Sequence, residues 1–200
     1  MTVRVFAARA AVTCLMLFVA TPVVAQDDDE EYPIDPTLTG PYLGASMGVA
    51  FDSFSSVAEL EALGDFGPSQ LSSLILGYRG GEYVSLEAEF EFLSGFRSGQ
   101  DEVDGWMTSL GFRIHVPLES RIEPYLTYGA GVLHMEGLGA TAGVIDATDF
   151  ALNVGGGVAY QWTDRFSVFA EGLYVYPISG VDGFNQGSLR FGLLYKFIED

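Results

Sequence analysis

Glu87, Glu89 and Glu91 recur at every second position of the stretch Glu82 to Phe92. Carboxylates at that spacing admit two kinds of chemistry. Two of them could act as a general acid and base, or all could pair with cations in a fixed ionic network. Side chains alternate across a strand, so Val84, Leu86, Ala88, Phe90 and Phe92 share one face while Ser85 and the three glutamates share the other. The same alternation sets Glu171, Arg79, Arg113, His115, Arg190 and Lys196 opposite apolar neighbours in other segments. Among these, Glu87, Glu89, Glu91 and Glu171 face Arg79, Arg113, Arg190 and Lys196, four acids against four bases. Counting residues from the turns places Glu87, Arg113, Glu171 and Arg190 at similar heights. That balance favours an ion network over an acid–base pair, with His115 joining it from one end.

Other chemistries find little support. The chain has two histidines, and its one cysteine, Cys14, lies in a segment expected to be removed, so no transition-metal cluster or cofactor is expected. Gly129 to Gly131 and Gly155 to Gly157 sit inside period-two segments with no helix after them, which excludes a phosphate cradle. They are expected to make room beside bulky inward residues such as Tyr125 and Phe169. Nine Lys and Arg without a basic cluster give no footprint for nucleic acid. No enzymatic activity is expected.

The elements that must position these residues begin after a processing segment. Arg4 and Arg9 precede the apolar run Ala10 to Ala20, Pro22 breaks it, and Val23-Val24-Ala25 supplies small residues for cleavage, so residues 1–25 read as a signal peptide. The run is too short to span roughly 20 residues of hydrocarbon. Ala11-Val12-Thr13-Cys14 lacks the pattern of a lipid-attachment site. Removal leaves seven basic residues against 27 acidic ones, a formal charge of −20. Residues 26–40 carry Asp27, Asp28, Asp29, Glu30, Glu31 and Asp35 with Pro33 and Pro36, and read as an acidic flexible tail. They lack the spacing of a calcium loop.

From residue 41 to residue 197 one theme repeats. Eight period-two segments can be counted: Tyr42 to Phe51, Ser72 to Arg79, Glu82 to Phe92, Trp106 to Val116, Tyr125 to His134, Phe150 to Trp162, Phe166 to Tyr176 and Ser188 to Phe197. Short turns join them at Arg79 to Glu82, Pro117 to Arg121 and Thr163 to Arg165. Longer links run at Asp52 to Leu71, Ser94 to Gly105, Met135 to Asp149 and Pro177 to Gly187. A short helix is conceivable in the first link, where Ser56-Val57-Ala58-Glu59 has a capping-box pattern and Gly64 can end it, but a loop packing its own apolar residues is the preferred reading. Alternating short turns and long links predict an all-β, eight-stranded antiparallel up-and-down transmembrane β-barrel, apolar face outward to lipid. Aromatic girdles are expected near the loop ends at Phe51, Phe90, Phe92, Trp106, Tyr174 and Tyr176. A second set is expected near the turn ends at Tyr78, Trp162, Phe166, Tyr195 and Phe197. A lipocalin-like soluble barrel is the rival fold, and it would turn the same apolar faces inward.

The chain resembles the OmpA-like or opacity-type eight-stranded outer-membrane β-barrel family. The resemblance is carried by Pro41-Tyr42-Leu43-Gly44-Ala45, Leu76-Gly77-Tyr78-Arg79, Pro124-Tyr125-Leu126 with Gly129-Ala130-Gly131, Asn153-Val154-Gly155-Gly156-Gly157, and Leu189 to Phe197. It implies a place in the Gram-negative cell outer membrane, with the tail periplasmic. It also implies outer-membrane lipid, lipopolysaccharide and the barrel-assembly machinery as partners, and an extracellular ligand through four long loops. Ile198-Glu199-Asp200 depart from the terminal aromatic residue usual in such barrels. Some relatives trim lipid A with a lipid-facing His, a Ser two positions away and an acid; here His134 is followed by Met135 and Glu136, without the nucleophile. The expected role is structural or surface-interacting, with the lumen plugged by the Glu–Arg network. A low-conductance porin-like channel and a loop-mediated adhesin or host-factor binder are the alternatives.

Overall fold

The computed structural model describes residues 39–52, 67–98, 101–118, 120–139, 143–178 and 185–197. The expected signal segment, the acidic tail up to residue 38, the Ser56 to Gly64 stretch and Ile198-Glu199-Asp200 lie outside them. The described residues form β1 (Gly40–Asp52), β2 (Ser69–Arg79), β3 (Val84–Ser98), β4 (Asp101–His115), β5 (Ile122–Gly139), β6 (Gly143–Gln161), β7 (Phe166–Pro177) and β8 (Gln186–Lys196). Each strand is antiparallel to the next, and β8 pairs with β1 to close the barrel.

Closure fixes the stagger of the strands. Register partners run from Tyr42 through Gly77, Glu87, Gly111, Gly129, Asn153, Val175 and Gln186, and return to β1 at Asp52, ten residues beyond the start. At a rise of ~3.3 Å per residue and a strand spacing of ~4.8 Å, that offset tilts the strands by about 40°. Among the described residues the ladders shift register between Leu93 and Phe96, where Gly95 adopts φ +84° and its N–H donates to Asp104 Oδ1 at 2.8 Å.

Period two decides which side chains point where. Along β2 and β7 burial alternates residue by residue from end to end. Leu43, Met47, Leu76, Leu110, Leu126, Phe150 and Phe191 stand on the outer wall, and Leu110 is 65% exposed. An apolar surface this continuous is stable only against hydrocarbon, where the closed ladder also leaves no backbone edge unpaired. The soluble-barrel alternative is thereby excluded, since its apolar faces would be inside.

The interior is layered. At the turn end lie Arg79, Ser85, His115, Glu123, Gln161 and Ser167. Above them Tyr42, Ile75, Tyr125, Ala159, Phe169 and Leu194 form one apolar cluster. The charged layer follows, and Leu71, Leu93, Met107, Leu133, Met135 and Val175 belong to a second apolar cluster toward the loop end. The sequence marks the charged residues and the rings of Tyr125 and Phe169 as inward; the structure adds this upper apolar layer. Leu71, Leu93 and Met135 lie just beyond the ends of the counted segments, while Met107, Leu133 and Val175 each have an apolar neighbour in sequence, so polarity does not mark them although side-chain direction still alternates. The aromatic layer fits because glycines stand beside it: a Cβ at Gly77 would meet the Tyr42 ring, one at Gly157 the Tyr125 ring, and one at Gly192 the Phe169 ring.

Two of the links expected to be long loops are strand instead. β3 and β4 continue to Ser98 and Asp101, and β5 and β6 to Gly139 and Gly143. Backbone pairing proceeds there although glycines and acids interrupt the apolar alternation, so the periodicity test could not see it. Leu110→Arg, near mid-strand on the outer wall, is expected to cost about 2–4 kcal/mol. Equilibrium refolding into phospholipid vesicles measures it, and an unchanged urea midpoint would contradict the lipid-facing assignment.

Candidate functional site

Inward positions of five strands converge in the charged layer: Glu87, Glu89 and Glu91 from β3, Arg113 from β4, Glu171 from β7 and Arg190 from β8, with Tyr42 of β1 below them. Arg190 donates through Nε to Glu171 Oε1 at 3.0 Å and through Nη2 to the same oxygen at 2.5 Å. Its Nη2 also reaches Glu89 Oε2 at 3.1 Å, and its Nη1 contacts Glu89 Oε1 and, at 3.5 Å, Glu91 Oε2. Gln186 Nε2 approaches the other Glu91 oxygen at 3.5 Å.

Arg113 sits one layer lower. Its Nε lies 3.1 Å from Glu87 Oε1 and its Nη2 3.5 Å from Glu171 Oε2. Both contacts are ionic, with poor hydrogen-bond geometry. The guanidinium also lies 4.2 Å from the Tyr125 ring centroid and 5.4 Å from that of Phe169, within cation–π range. Tyr42 Oη donates to Glu87 Oε1 at 2.5 Å. Glu171 therefore touches both arginines, and its side chain is fully buried. The middle void beside Glu87, Glu89, Thr127, Asn153 and Arg190 measures about 20 Å³, enough for one or two water molecules.

The balance of four acids against four bases does not hold within this layer. Arg79 lies at the turn end, where it donates to Glu123 Oε1 at 3.1 Å and Oε2 at 2.8 Å, and also to the Gly81 and Glu82 carbonyls. Lys196 lines a cavity at that same end. Four carboxylates thus face two guanidiniums in the middle. His115 belongs to the lower cluster, with Nδ1 2.6 Å from Glu123 Oε1 and Nε2 2.8 Å from Ser85 Oγ. Glu123 lies on β5 before the fifth period-two segment, which begins at Tyr125. Two residues before an inward tyrosine, period two points Glu123 inward as well, and that was the available signal.

The outer aromatics group at both ends. Toward the loops, Phe90 meets Phe92 at 4.6 Å and Trp106 at 6.1 Å between centroids, and Trp106 meets His134 at 5.3 Å. His134 Nδ1 is also 2.8 Å from Thr148 Oγ1 across the β5–β6 ladder. Phe51, Tyr174 and Tyr176 are exposed at that end, and Tyr78 and Trp162 at the other. Toward the turns, Phe166, Tyr195 and Phe197 form a chain with successive centroids 5.0 Å apart. Among the described residues no three His, Cys, Asp or Glu are grouped to hold a metal ion.

Replacing the fully buried carboxylate that bridges both guanidiniums takes an ionic partner from each of them at once. Glu171→Gln is expected to cost about 3–5 kcal/mol. Glu89→Gln should cost clearly less, because Arg190 keeps Glu171 and Glu91. Urea unfolding of the two variants in vesicles checks the order; equal costs would show that Glu171 is not the shared anchor.

Comparison with known proteins follows from this geometry. The family described as outer membrane protein beta-barrel domain matches residues 11–197. The fold is similar to the crystal structure of Neisserial surface protein A at TM-score 0.66 and 17% identity, over 79% of this chain and 97% of that one. It is similar to the N-terminal β-barrel domain of Pseudomonas aeruginosa OprF at TM-score 0.59 and 15% identity, over 80% and 100%. It is also similar to Ail, the attachment invasion locus protein of Yersinia pestis, at TM-score 0.52 and 15% identity, over 80% and 99%, in a complex with the heparin analogue sucrose octasulfate. No curated protein matches the chain.

Proposed function

The chain belongs to the outer membrane protein β-barrel domain family, and from that premise we propose that it is a plugged barrel with a structural or surface-interaction role. Its place is the cell outer membrane. The observation that carries the plug is Glu171, buried between Arg113 and Arg190 in a layer bounded above and below by apolar clusters. Eight strands enclose an interior that side chains can fill. The buried ion pairs hold the middle of the bore shut, and a path opens when one of them is broken.

The remaining features fit the same setting. Residues 1–25 direct export and are removed, and residues 26–40 extend into the periplasm as an acidic tail. The aromatic groups around Trp106 and Tyr195 anchor the wall at the two interfaces, the upper one among lipopolysaccharide. The barrel-assembly machinery inserts the chain. The loop end carries any surface partner. There Asp104, Glu136 and Asp146 stand side by side across β4, β5 and β6. Ail was crystallised with a polysulfated ligand, but a surface with adjacent carboxylates repels polyanions, so a partner of this chain is cationic or uncharged.

A planar-bilayer recording of the refolded barrel tests the plug, with Glu87→Gln and Arg190→Ala beside the unaltered protein. The expected result is near silence in the unaltered protein and leakage in both variants. The leak should favour cations, given three carboxylates against two guanidiniums in Glu87→Gln and four against one in Arg190→Ala. A steady, reproducible conductance from the unaltered protein would replace the plug by a low-conductance channel.

A further inference from the structure

We propose that Ser85, His115 and Glu123 form a nucleophile–base–acid triad at the turn-end mouth of the barrel, able to take up a short acyl group from a small ester and hydrolyse it. This activity is independent of the plug. The three residues come from consecutive strand regions: Ser85 on β3, His115 on β4 and Glu123 on β5. Ser85 Oγ stands 2.8 Å from His115 Nε2, and His115 Nδ1 2.6 Å from Glu123 Oε1. That order, hydroxyl to one ring nitrogen and carboxylate to the other, activates a serine on unrelated folds.

The protonation pattern follows from the partners. Arg79 forks onto both oxygens of Glu123, at 3.1 and 2.8 Å, and so holds an ionised carboxylate that can only accept. The short contact to His115 must then use Nδ1–H. A neutral imidazole so fixed presents Nε2 as an acceptor, and the Ser85 hydroxyl must donate to it. The nucleophile is thereby aimed at its base before any substrate arrives. Arg79 and Glu123 act here as positioning residues.

Space and an oxyanion donor occur at the same place. Ser85, His115 and Glu123 line a cavity of about 20 Å³ together with Tyr42, Gln161 and Lys196. Gln161 is buried, and its Nε2 has no hydrogen-bond partner. An unpaired donor lining the same cavity as the nucleophile suits the charge that develops on a carbonyl oxygen. Ser85 is fully buried, so an ester reaches it only through this cavity, whose small volume limits the acyl part to about the size of acetyl.

The reaction balances with water as the second reactant. Ser85 Oγ bonds to the ester carbonyl carbon while its proton passes to His115 Nε2. The carbon–alkoxide bond breaks, and the leaving alkoxide takes that proton. Water, deprotonated by the same nitrogen, then cleaves the acyl-serine, releasing the carboxylic acid and restoring the hydroxyl.

The test uses the refolded full barrel, its folding checked by heat-dependent gel mobility. Two probes are methanesulfonyl fluoride, which would sulfonylate a reactive serine with loss of fluoride, and p-nitrophenyl acetate. The expected result is a sulfonyl adduct mapped by mass spectrometry to Ser85, abolished by Ser85→Ala and by prior unfolding. His115→Gln should slow p-nitrophenyl acetate hydrolysis about 100-fold, the usual contribution of a general base. Glu123→Gln should also slow it by permitting the other imidazole tautomer, and should shift its pH profile. Failure of the folded, unaltered barrel to label at Ser85 would overturn the proposal, whatever the variants do. Hydrolysis that persists in folded Ser85→Ala would overturn it as well.

Discussion

Hydrocarbon offers no hydrogen bonds, so every peptide group that crosses it must find a partner within the chain. In this protein that requirement is met by one ladder, the pairing of β8 back onto β1 from Tyr42↔Lys196 to Asp52↔Gln186. Without it two edges would face lipid, and the other seven pairings would stabilise only an open sheet. Closing the circle with ten residues of stagger sets the tilt, and eight strands at that tilt set the bore. The bore is too narrow to stay empty and too wide to be filled by backbone. The side chains at alternate positions must therefore fill it, and the rest of the molecule follows from how they do so.

They fill it in strata because charge and aromatic bulk impose different conditions. A buried guanidinium needs carboxylates on several sides, and Arg190 obtains them from β3 and β7 together. A large ring needs an absent side chain next to it, and Tyr42, Tyr125 and Phe169 obtain that from glycines on neighbouring strands. Arg113 links the two solutions, bonded ionically to Glu87 and Glu171 while its flat face lies near Tyr125 and Phe169. The apolar cluster above the charges removes water from them, which strengthens each pairing and raises the cost of breaking one. Sealing and ionic pairing thus reinforce each other.

The mouth at the turn end obeys different rules. Arg79 anchors the turn through the Gly81 and Glu82 carbonyls and at the same time orients Glu123. One side chain so connects the end of β2 to the start of β5, across the interior rather than along a ladder. The Ser85–His115–Glu123 chain hangs from that connection beside the small cavity at the turn end, with Ser85 and His115 buried. The barrel therefore holds two polar assemblies with distinct consequences: a neutralising network in the middle and an ordered proton path at the rim.

Period two, turn lengths and the polarity of opposing faces were readable from residue order, because a strand's side-chain direction is a local property. These determined the eight strands, their outward apolar faces, the outward aromatics from Phe51 to Phe197, and the inward direction of Glu87, Glu89, Glu91, Arg113, His115, Glu171, Arg190 and Lys196. Glu123 and much of the upper apolar layer obeyed the same rule but escaped it, the first beside a turn and the second beyond the ends of the counted segments. What residue order could not decide was partnership. Arg79 and Arg190 carry the same charge and point the same way, yet one binds Glu123 and the other Glu89 and Glu171. That choice depends on height in the barrel, and height depends on the accumulated stagger of all eight ladders, a quantity that exists only once the circle is closed.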